Sequence, residues 1–599
     1  MKPLSGLDAN YWYAESATSP MHVGSVVIIE GSLKFEDFRK LLEERIHLVP
    51  KLRQRLLDVP LSIDLPFWID DPHFALDLHL NHIALPKPGG WAELRATASQ
   101  IFSEHLDRTR PLWSFTFVEG LDKIEQLPQG SVAIISKIHQ AAIDEDAGAG
   151  ILSLLFDFLP ESRKVDPPQE EWNPAPLPDE LEIMQASART FIKKPLRLPK
   201  LATRALQSSL KAGMLTRVQQ PDMPGSSYSV PATILNREVS GRRKWNTAIL
   251  DLARVKKLRS IMDVKLNDVL LTICSGALRR YLDEKKKLPL TSLVAMVPMS
   301  VKQDGKSKMI TAKVQLATQF ENPVERLRTI ADSTERSKTY RKAVGARSLS
   351  EMAEAVPFGL ANQAARLYSR YRVIEMQKPA FNVLITNVPG PPIPLYMNGH
   401  KVTSLMGMAP VIDGMGLVIT IFSYNGQITL SPTADAKTMP DVDDFTRYLR
   451  EAANELEAEV LAIEKDCLKA AATIEEDTRV PDFFAKLNEL LGTEIVTDGQ
   501  GIFQMEISGE KVGSWTLDTQ SSPVVVSEGA PENPDAVIAM KYRHLLRIVE
   551  GEIDIEAAVI QGRIQIRGDQ EKALPLVESI QRAIGLLGNS KEKADQTEA

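Results

Sequence analysis

The run 131-SVAIISKIHQAAIDEDAG-148 decides how this chain is read. Its first part, 131-SVAIISKIH-139, is a β-branched apolar run that reads as a strand. His139 stands at the strand's end, followed by Gln140, three small or apolar residues, Asp144 and Glu145. A histidine delivered by a strand to a loop is a candidate general base, because imidazole titrates near neutral pH and a nearby carboxylate can fix its ring. A neutral amide at the next position cannot accept a proton. The loop therefore has the outline of a catalytic turn with one member replaced.

Elements on either side show the same mixture of periods. Upstream, 23-VGSVVIIEG-31 reads as a strand, and 34-KFEDFRKLLEERI-46 is helical, with Phe35, Phe38, Leu41, Leu42 and Ile46 on one face. The segment 76-LDLHLNHIAL-85 reads as a strand with His79 and His82 on opposite faces. Downstream, 148-GAGILSLLFDFL-159 reads as a buried helix. The stretch 165-VDPPQEEWNPAPLPDE-180 is too proline-rich for a helix or a central strand. After it, 186-ASARTFIKKPLRLPKLATRALQSSLKAGMLTR-217 carries eight Lys or Arg and no acid. That segment is either a solvated linker lying on the core or a docking surface for anionic lipid. Pro195 and Pro199 interrupt any long helix and favour the linker.

Strands and helices then alternate again. The segment 267-NDVLLTICSGALRRYL-282 is helical, with Asn267 or Asp268 placed to cap its start, and 292-SLVAMVPMSV-301 and 381-FNVLITNVPG-390 are strands. The run 417-LVITIFSYNGQITLSPTAD-435 is a hairpin turned at Asn425-Gly426, and 442-VDDFTRYLREAANELEAEVLAIEKD-466 is a charged helix.

At 599 residues, 43% hydrophobic and 25% charged, the chain has the composition of several ordinary globular domains. A net charge of −7 argues against nucleic acid as the main partner. Two distant cysteines, Cys274 and Cys467, form no disulfide framework and imply a reducing compartment. The start MKPLSGLDANYWYAES has no apolar signal core, and no run reaches the ~18 apolar residues needed to span a bilayer. A cytoplasmic protein is the expectation. The histidines show no metal-ligand spacing with carboxylates or cysteines, so no metal is expected. No glycine-rich phosphate loop is present: 387-NVPGPP-392 lacks the Lys and Ser/Thr of a P-loop.

Five ordered segments resemble the bacterial wax ester synthase/diacylglycerol acyltransferases, within the chloramphenicol-acetyltransferase-like superfamily. They are the opening LSGLDANYWYAESATSPMHVG; the pair 65-LPFWIDDPHFALDLHL-80 and 106-LDRTRPLWSFTFVEGL-121, with Pro111-Leu112-Trp113; the Asn267-Asp268 helix; 387-NVPGPPIPLYMNG-399, with Asn387, Pro389 and Gly390; and Ser423-Tyr424-x-Gly426. The resemblance covers about residues 1 to 460 and implies transfer of an acyl group from acyl-CoA to a lipid alcohol, with no other cofactor. The family motif at the opening run is His-His-x-x-x-Asp-Gly. Its second histidine takes the alcohol proton, and its aspartate is mainly structural.

This sequence departs from the motif twice, with Gln140 at the base position and Glu145 at the glycine. By the same resemblance, His139 and Asp144 take structural roles. Glu145 could act as a base only if desolvation raised its pKa. A Gly-Asn pair that the family carries near 305-GKSKMITAKVQLAT-318 also lacks its asparagine here. Two readings stay open: an acyltransferase with impaired or altered activity, or a catalytically silent protein that binds or transfers lipid and acyl-CoA.

The last part of the chain is similar to the sterol-carrier-protein family. The matching features are Trp515-x-Leu517-Asp518, the helix 541-KYRHLLRIVEG-551, and Gln561-Gly562-x-Ile564-x-Ile566-x-Gly568-Asp569. The resemblance implies a lipid-binding pocket, with Phe483, Phe484, Phe503, Met505 and Trp515 as candidate lining residues or as ordinary core. The expected class is therefore α/β, with two chloramphenicol-acetyltransferase-like lobes (1–160 and 236–466) joined by a long Pro-rich and basic crossover (161–235). A small α+β sterol-carrier-like domain (480–588) and a disordered tail (589–599) follow. The expected partners are long-chain acyl-CoA and a lipid alcohol or other hydrophobic ligand, with a peripheral membrane or lipid-droplet surface as the setting if the basic segment docks.

Overall fold

The computed structural model describes residues 1–60, 64–143, 151–168, 172–192, 230–303, 306–344, 379–473, 483–489, 500–508, 513–521, 524–549, 554–560, 563–569 and 571–582. Asp144, Glu145, most of the basic segment, Gln561-Gly562 and the tail lie outside them. The chain divides into two compact units, Met1–Leu461 and Ala462–Ala599.

The first part of unit one supplies β1 (Lys2–Pro3), β2 (His22–Ile29), β3 (Gln54–Leu57), β4 (Phe67–Asp70), β5 (Leu80–Ala84), β6 (Trp113–Glu119) and β7 (Val132–His139). Helices α1 (Gly6–Ala14), α2 (Phe35–Arg45) and α3 (Trp91–Ser103) accompany them. The second part adds β8 (Arg243–Trp245), β9 (Ala248–Asp251), β10 (Val294–Gln303), β11 (Lys306–Gln315), β12 (Val383–Pro389), β13 (Tyr396–Met397), β14 (His400–Met408), β15 (Leu417–Tyr424) and β16 (Gln427–Asp435). The two lobes have one large sheet each. The first runs β13-β14-β2-β7-β6-β5, and the second runs β11-β10-β12-β15-β16-β8 with β9 also beside β16.

All eight residues of β7 are buried, as its near-continuous apolar run requires of a strand covered on both faces. On one face Val132, Ile134 and Ile138 join the core with Phe38 of α2 and Trp12 of α1. On the other, Ala133 and Ile135 pack with Phe102 of α3 and with Trp245.

The lobes are not independent along the chain. β14 comes from the second half and pairs antiparallel with β2, completing the first lobe's sheet. Gly407 is required there, because a Cβ would collide with the Thr420 side chain of β15. β8 ties the second sheet to α3: Trp245 N–H donates to Ser99 Oγ at 3.0 Å, its indole N–H to Gly407 O at 3.0 Å, and Arg243 N–H to Ser103 Oγ at 2.9 Å. The β15–β16 hairpin turns at Asn425 and Gly426, both at positive φ (42° and 81°), as a tight hairpin turn demands.

Three local expectations change. Residues 76–79 form a 3-10 turn before β5 rather than continuous strand. His79 turns inward there, stacking on Trp113 at 4.5 Å with its Nδ1 2.8 Å from Trp113 O. The expected buried helix over 148–159 is described as helix at 151–155 only. Asp157 N–H leaves it for Tyr396 O at 2.8 Å, the Asp157 carboxylate takes buried Arg45 at 2.7 Å, and Phe158 and Leu159 are 66% exposed. The helix Leu266–Glu284 starts after Lys265, so Asn267 and Asp268 lie inside its first turn; Asp268 Oδ2 accepts from Lys265 N–H at 3.1 Å.

Unit two is a five-stranded sheet, β19-β18-β17-β20-β21, formed by β17 (Ile502–Ser508), β18 (Gly513–Asp518), β19 (Val525–Glu528), β20 (Ala536–Lys541) and β21 (Ile564–Gly568). Phe503, Met505 and Ile507 alternate inward along β17. They share a core with residues of helices 483–489, Tyr542–Val549 and 571–582. No described helix is long and apolar enough to cross a membrane.

Candidate active site

The strand expected to carry the motif ends at His139, and Gln140–Ala142 turn as a single 3-10 segment. The turn ends the extended strand directly after His139. Its cause is the His139 ring, whose Nδ1 accepts the Ala141 N–H at 3.0 Å and so caps the turn. The backbone is pinned on both sides: His139 N–H donates to Leu112 O and Gln140 N–H to Met21 O, each at 2.9 Å. Pro111-Leu112-Trp113 thus holds the histidine in place. Trp113 is anchored in turn by its indole N–H donating to Leu52 O at 2.7 Å.

With Nδ1 accepting, the neutral His139 ring carries its proton on Nε2. That atom faces the buried Glu15 carboxylate at 3.8 Å, too far for a hydrogen bond. Trp12 packs edge-on against the ring at 5.8 Å, and Arg108 lies over Trp12 at 3.4 Å. Burial, reinforced by the Arg108 charge, pushes the His139 pKa down to about 3. A ring held neutral, with its basic nitrogen occupied by a backbone N–H, is a positioning group and a poor proton acceptor.

Opposite His139 in the β2–β7 pairing stands His22. Its Nε2 is 2.8 Å from Phe102 O at the end of α3, and burial pushes its pKa down to about 3 as well. Lys137 donates to Glu104 O at 2.9 Å, and burial pulls its pKa down to about 8. Both groups satisfy carbonyls at the C-terminus of α3, which explains their burial without any part in a reaction. Among the described residues, three buried polar atoms at this end of the sheet have no hydrogen-bond partner: His139 Nε2, His22 Nδ1 and Gln140 Oε1.

The second lobe gathers the other motif residues. Asn387 near the end of β12 donates to Asn267 Oδ1 at 3.4 Å. Gly390 N–H donates to Ser423 O at 2.8 Å, and a Cβ on Gly390 would sit 2.5 Å from that oxygen, so the close approach needs glycine. Tyr424 Oη accepts from Leu395 N–H at 2.7 Å. Asn267, Asn387, Pro389, Gly390, Ser423 and Tyr424 therefore form one neighbourhood. Among the described residues no hydrogen bond or ion pair joins them to His139 or Gln140. Glu15, Arg108 and Met21 were missed from sequence as members of the motif's surroundings. The only signal available was their place in the two segments that resemble the family.

In unit two the five candidate lining residues do meet. Phe483, Phe484, Phe503 and Met505 are buried, and Trp515 stacks on Phe484 with ring centres 4.3 Å apart. They are packed on one another as core. Among the described residues no group of His, Cys, Asp and Glu could hold a metal ion.

Comparison with known proteins gives three family matches along the chain. Residues 4–270 match the wax ester synthase/diacylglycerol acyltransferase catalytic domain, residues 307–457 the C-terminal domain of the same family, and residues 484–581 the SCP-2 sterol transfer family. A Mycobacterium tuberculosis (strain H37Rv) protein named as a diacylglycerol O-acyltransferase is 30% identical over 471 residues, spanning 75% of this chain and 90% of its own length. The O-acyltransferase WSD of Acinetobacter baylyi is 30% identical over 479 residues, 78% of this chain and 99% of its own. Among solved structures, a wax ester synthase/diacylglycerol acyltransferase from Marinobacter aquaeolei VT8 has the same fold. Its TM-score is 0.55 at 24% identity, over 77% of this chain and all of the other.

Proposed function

The chain belongs to the wax ester synthase/diacylglycerol acyltransferase family, and from that premise we propose that it handles acyl-CoA and lipid alcohols with an impaired transfer step. The observation that carries the reading is Gln140. By the motif resemblance it stands at the position of the family's base, and its amide oxygen is buried with no hydrogen-bond partner among the described residues. Such an oxygen can accept a hydrogen bond from a substrate hydroxyl but cannot take its proton. Loss of a general base lowers the rate by ~10²–10⁴. A thioester is already activated, and positioning alone sustains slow transfer. The second reading, a silent acyl-lipid binding or transfer protein, is favoured by His139, whose Nδ1 is committed to Ala141 N–H. Long-chain acyl-CoA is substrate in the first reading and ligand in the second.

The SCP-2 match supports a lipid-carrying role for unit two, with Phe483, Phe484, Phe503, Met505 and Trp515 lining the space that opens around a ligand. A tethered carrier would hold an insoluble acyl ligand at roughly millimolar local concentration. The setting is cytoplasmic, with the basic segment either a solvated linker or a lipid-facing surface.

The test is thiol release from long-chain acyl-CoA by the full chain, with a panel of alcohols and diacylglycerol, beside Gln140→His. The expected result is slow transfer by the parent and a gain of about 10²-fold or more in the variant. A parent with no transfer, beside an active variant, selects the silent reading. Fast transfer by the parent that Gln140→Ala leaves unchanged sinks both.

A further inference from the structure

A cleft of about 980 Å³ opens in the first unit, among the end of the crossover, the start of β12, the loop at Ile412–Met415 and the turn after β16. No motif residue described above lines it. Phe381, Ile412 and Met415 contribute apolar surface, and the cations Arg237, Lys287 and Lys437 share its wall. These three side chains are exposed, and none has a hydrogen-bond or ion-pair partner among the described residues. Two carboxylates also line the cleft, Glu238 and Asp413. Asp413 Oδ1 accepts the Val239 N–H at 2.8 Å and its charge also acts on buried Arg243, so the three cations and two carboxylates leave the wall a formal excess of one positive charge.

The walls are tied together by polar contacts. Asn236 Nδ2 donates to Phe381 O at 2.9 Å and to Gly414 O at 3.0 Å, while Gly414 N–H donates to Arg237 O at 3.0 Å. Asn382 Nδ2 donates to Pro231 O at 2.7 Å and to Asn236 Oδ1 at 2.9 Å. One asparagine pair thus fixes the crossover's end, the start of β12 and the Gly414 turn in a single arrangement. A ligand would meet walls already ordered, and binding there avoids the entropy of assembling them. The volume suits a lipid-sized ligand.

We propose that this cleft binds the phosphate-bearing end of an amphiphile, with Arg237, Lys287 and Lys437 taking the phosphate and Phe381, Ile412 and Met415 taking the apolar part. Unpaired cations beside apolar surface select an anion that carries a hydrophobic body. The shared chemistry has two sources, the phosphates of an acyl-CoA and the headgroup of a phospholipid monoester. The site stands whether or not position 140 supports transfer, because it is read by binding.

The experiment uses the full chain carrying Phe381→Trp as a reporter. Brominated-chain lysophosphatidate and brominated-chain acyl-CoA are titrated, and the quenching of the parent's own tryptophans is subtracted. Quenching of the added indole by at least one of them is expected. Lys287→Glu with Lys437→Glu should weaken that binding about tenfold or more, while the paired Lys→Arg changes preserve it. Competition by free CoA identifies the nucleotide source, and competition by glycerol phosphate the lipid source. The proposal fails if the added indole is not quenched, if both charge reversals leave the affinity within twofold, or if brominated palmitate binds as well as the phosphorylated ligands.

Discussion

The two ends of the body that carry family motifs differ in how their polar atoms are used. At the end of β7, His139 Nε2 and Gln140 Oε1 are buried with no partner among the described residues. At the end of β12, Asn387 bonds Asn267 across elements, Gly390 bonds Ser423 and Tyr424 bonds Leu395. Both ends are nevertheless held by the same means, backbone hydrogen bonds backed by aromatic or close backbone packing. The frame around residue 140 is made by Leu112 O, Met21 O and the His139 ring, none of which depends on the side chain at 140. The architecture at this end therefore does not depend on which side chain stands at position 140.

The sharpest way to break that comparison is to remove the frame itself. Trp113 is buried, stacks on His79 and donates to Leu52 O. Trp113→Ala should cost about 3–5 kcal/mol through lost burial and the cavity left behind, with Leu52 O stranded. Chemical denaturation of the full chain, read on the transition of unit one, checks it. A loss under about 1 kcal/mol would mean that the β7 end is held by something other than the Pro111-Leu112-Trp113 segment.

Acid sharpens the comparison next. His139 and His22 each titrate near pH 3 in the fold, against about 6.5 for a free imidazole. The unfolded chain binds more protons between those values, so stability falls as pH drops below about 6.5 and keeps falling toward 3. At pH 5 each histidine costs about 2 kcal/mol relative to pH 7. His139→Asn keeps an acceptor for Ala141 N–H and removes one titration, so thermal melts should show a shallower acid slope for the variant. An unchanged slope would show that the buried ring is not what makes this end acid-sensitive. The β12 end holds no histidine among the residues discussed, so no imidazole there adds to the slope.

Much of the fold was legible because it is periodic or punctuated. The β2 and β7 runs, the α2 face and the Asn425-Gly426 turn follow from side-chain spacing and from φ preference. The turn at His139–Ala142 was not legible, because a ring nitrogen capping a backbone N–H leaves no trace in apolar periodicity. Nor was the early end of the helix before Phe158, since Asp157 is drawn off by Tyr396 and Arg45, one distant and the other upstream in sequence. The exchange of β14 into the first sheet is likewise a long-range pairing that local pattern cannot signal. Within the site, residue types and order identified the motif positions. The tautomer of His139, which decides whether it can act as a base, depends on a contact that only coordinates supply.

The smallest expected effect is also the one that tests what the second lobe keeps its polar pair for. The Asn387–Asn267 bond is long at 3.4 Å, and both side chains are only half-buried. A neutral bond of that kind is worth about 0.5–1 kcal/mol at most, and partial exposure lets water replace it. Asn387→Ala should therefore shift the denaturation midpoint of unit one barely above error. Asparagines with so little to contribute to folding, with amide groups not fully used by each other, are free to meet a ligand. Binding of long-chain acyl-CoA to Asn387→Ala should then weaken more than stability does. A stability loss above about 2 kcal/mol with unchanged binding would reverse the assignment and make this pair part of the frame.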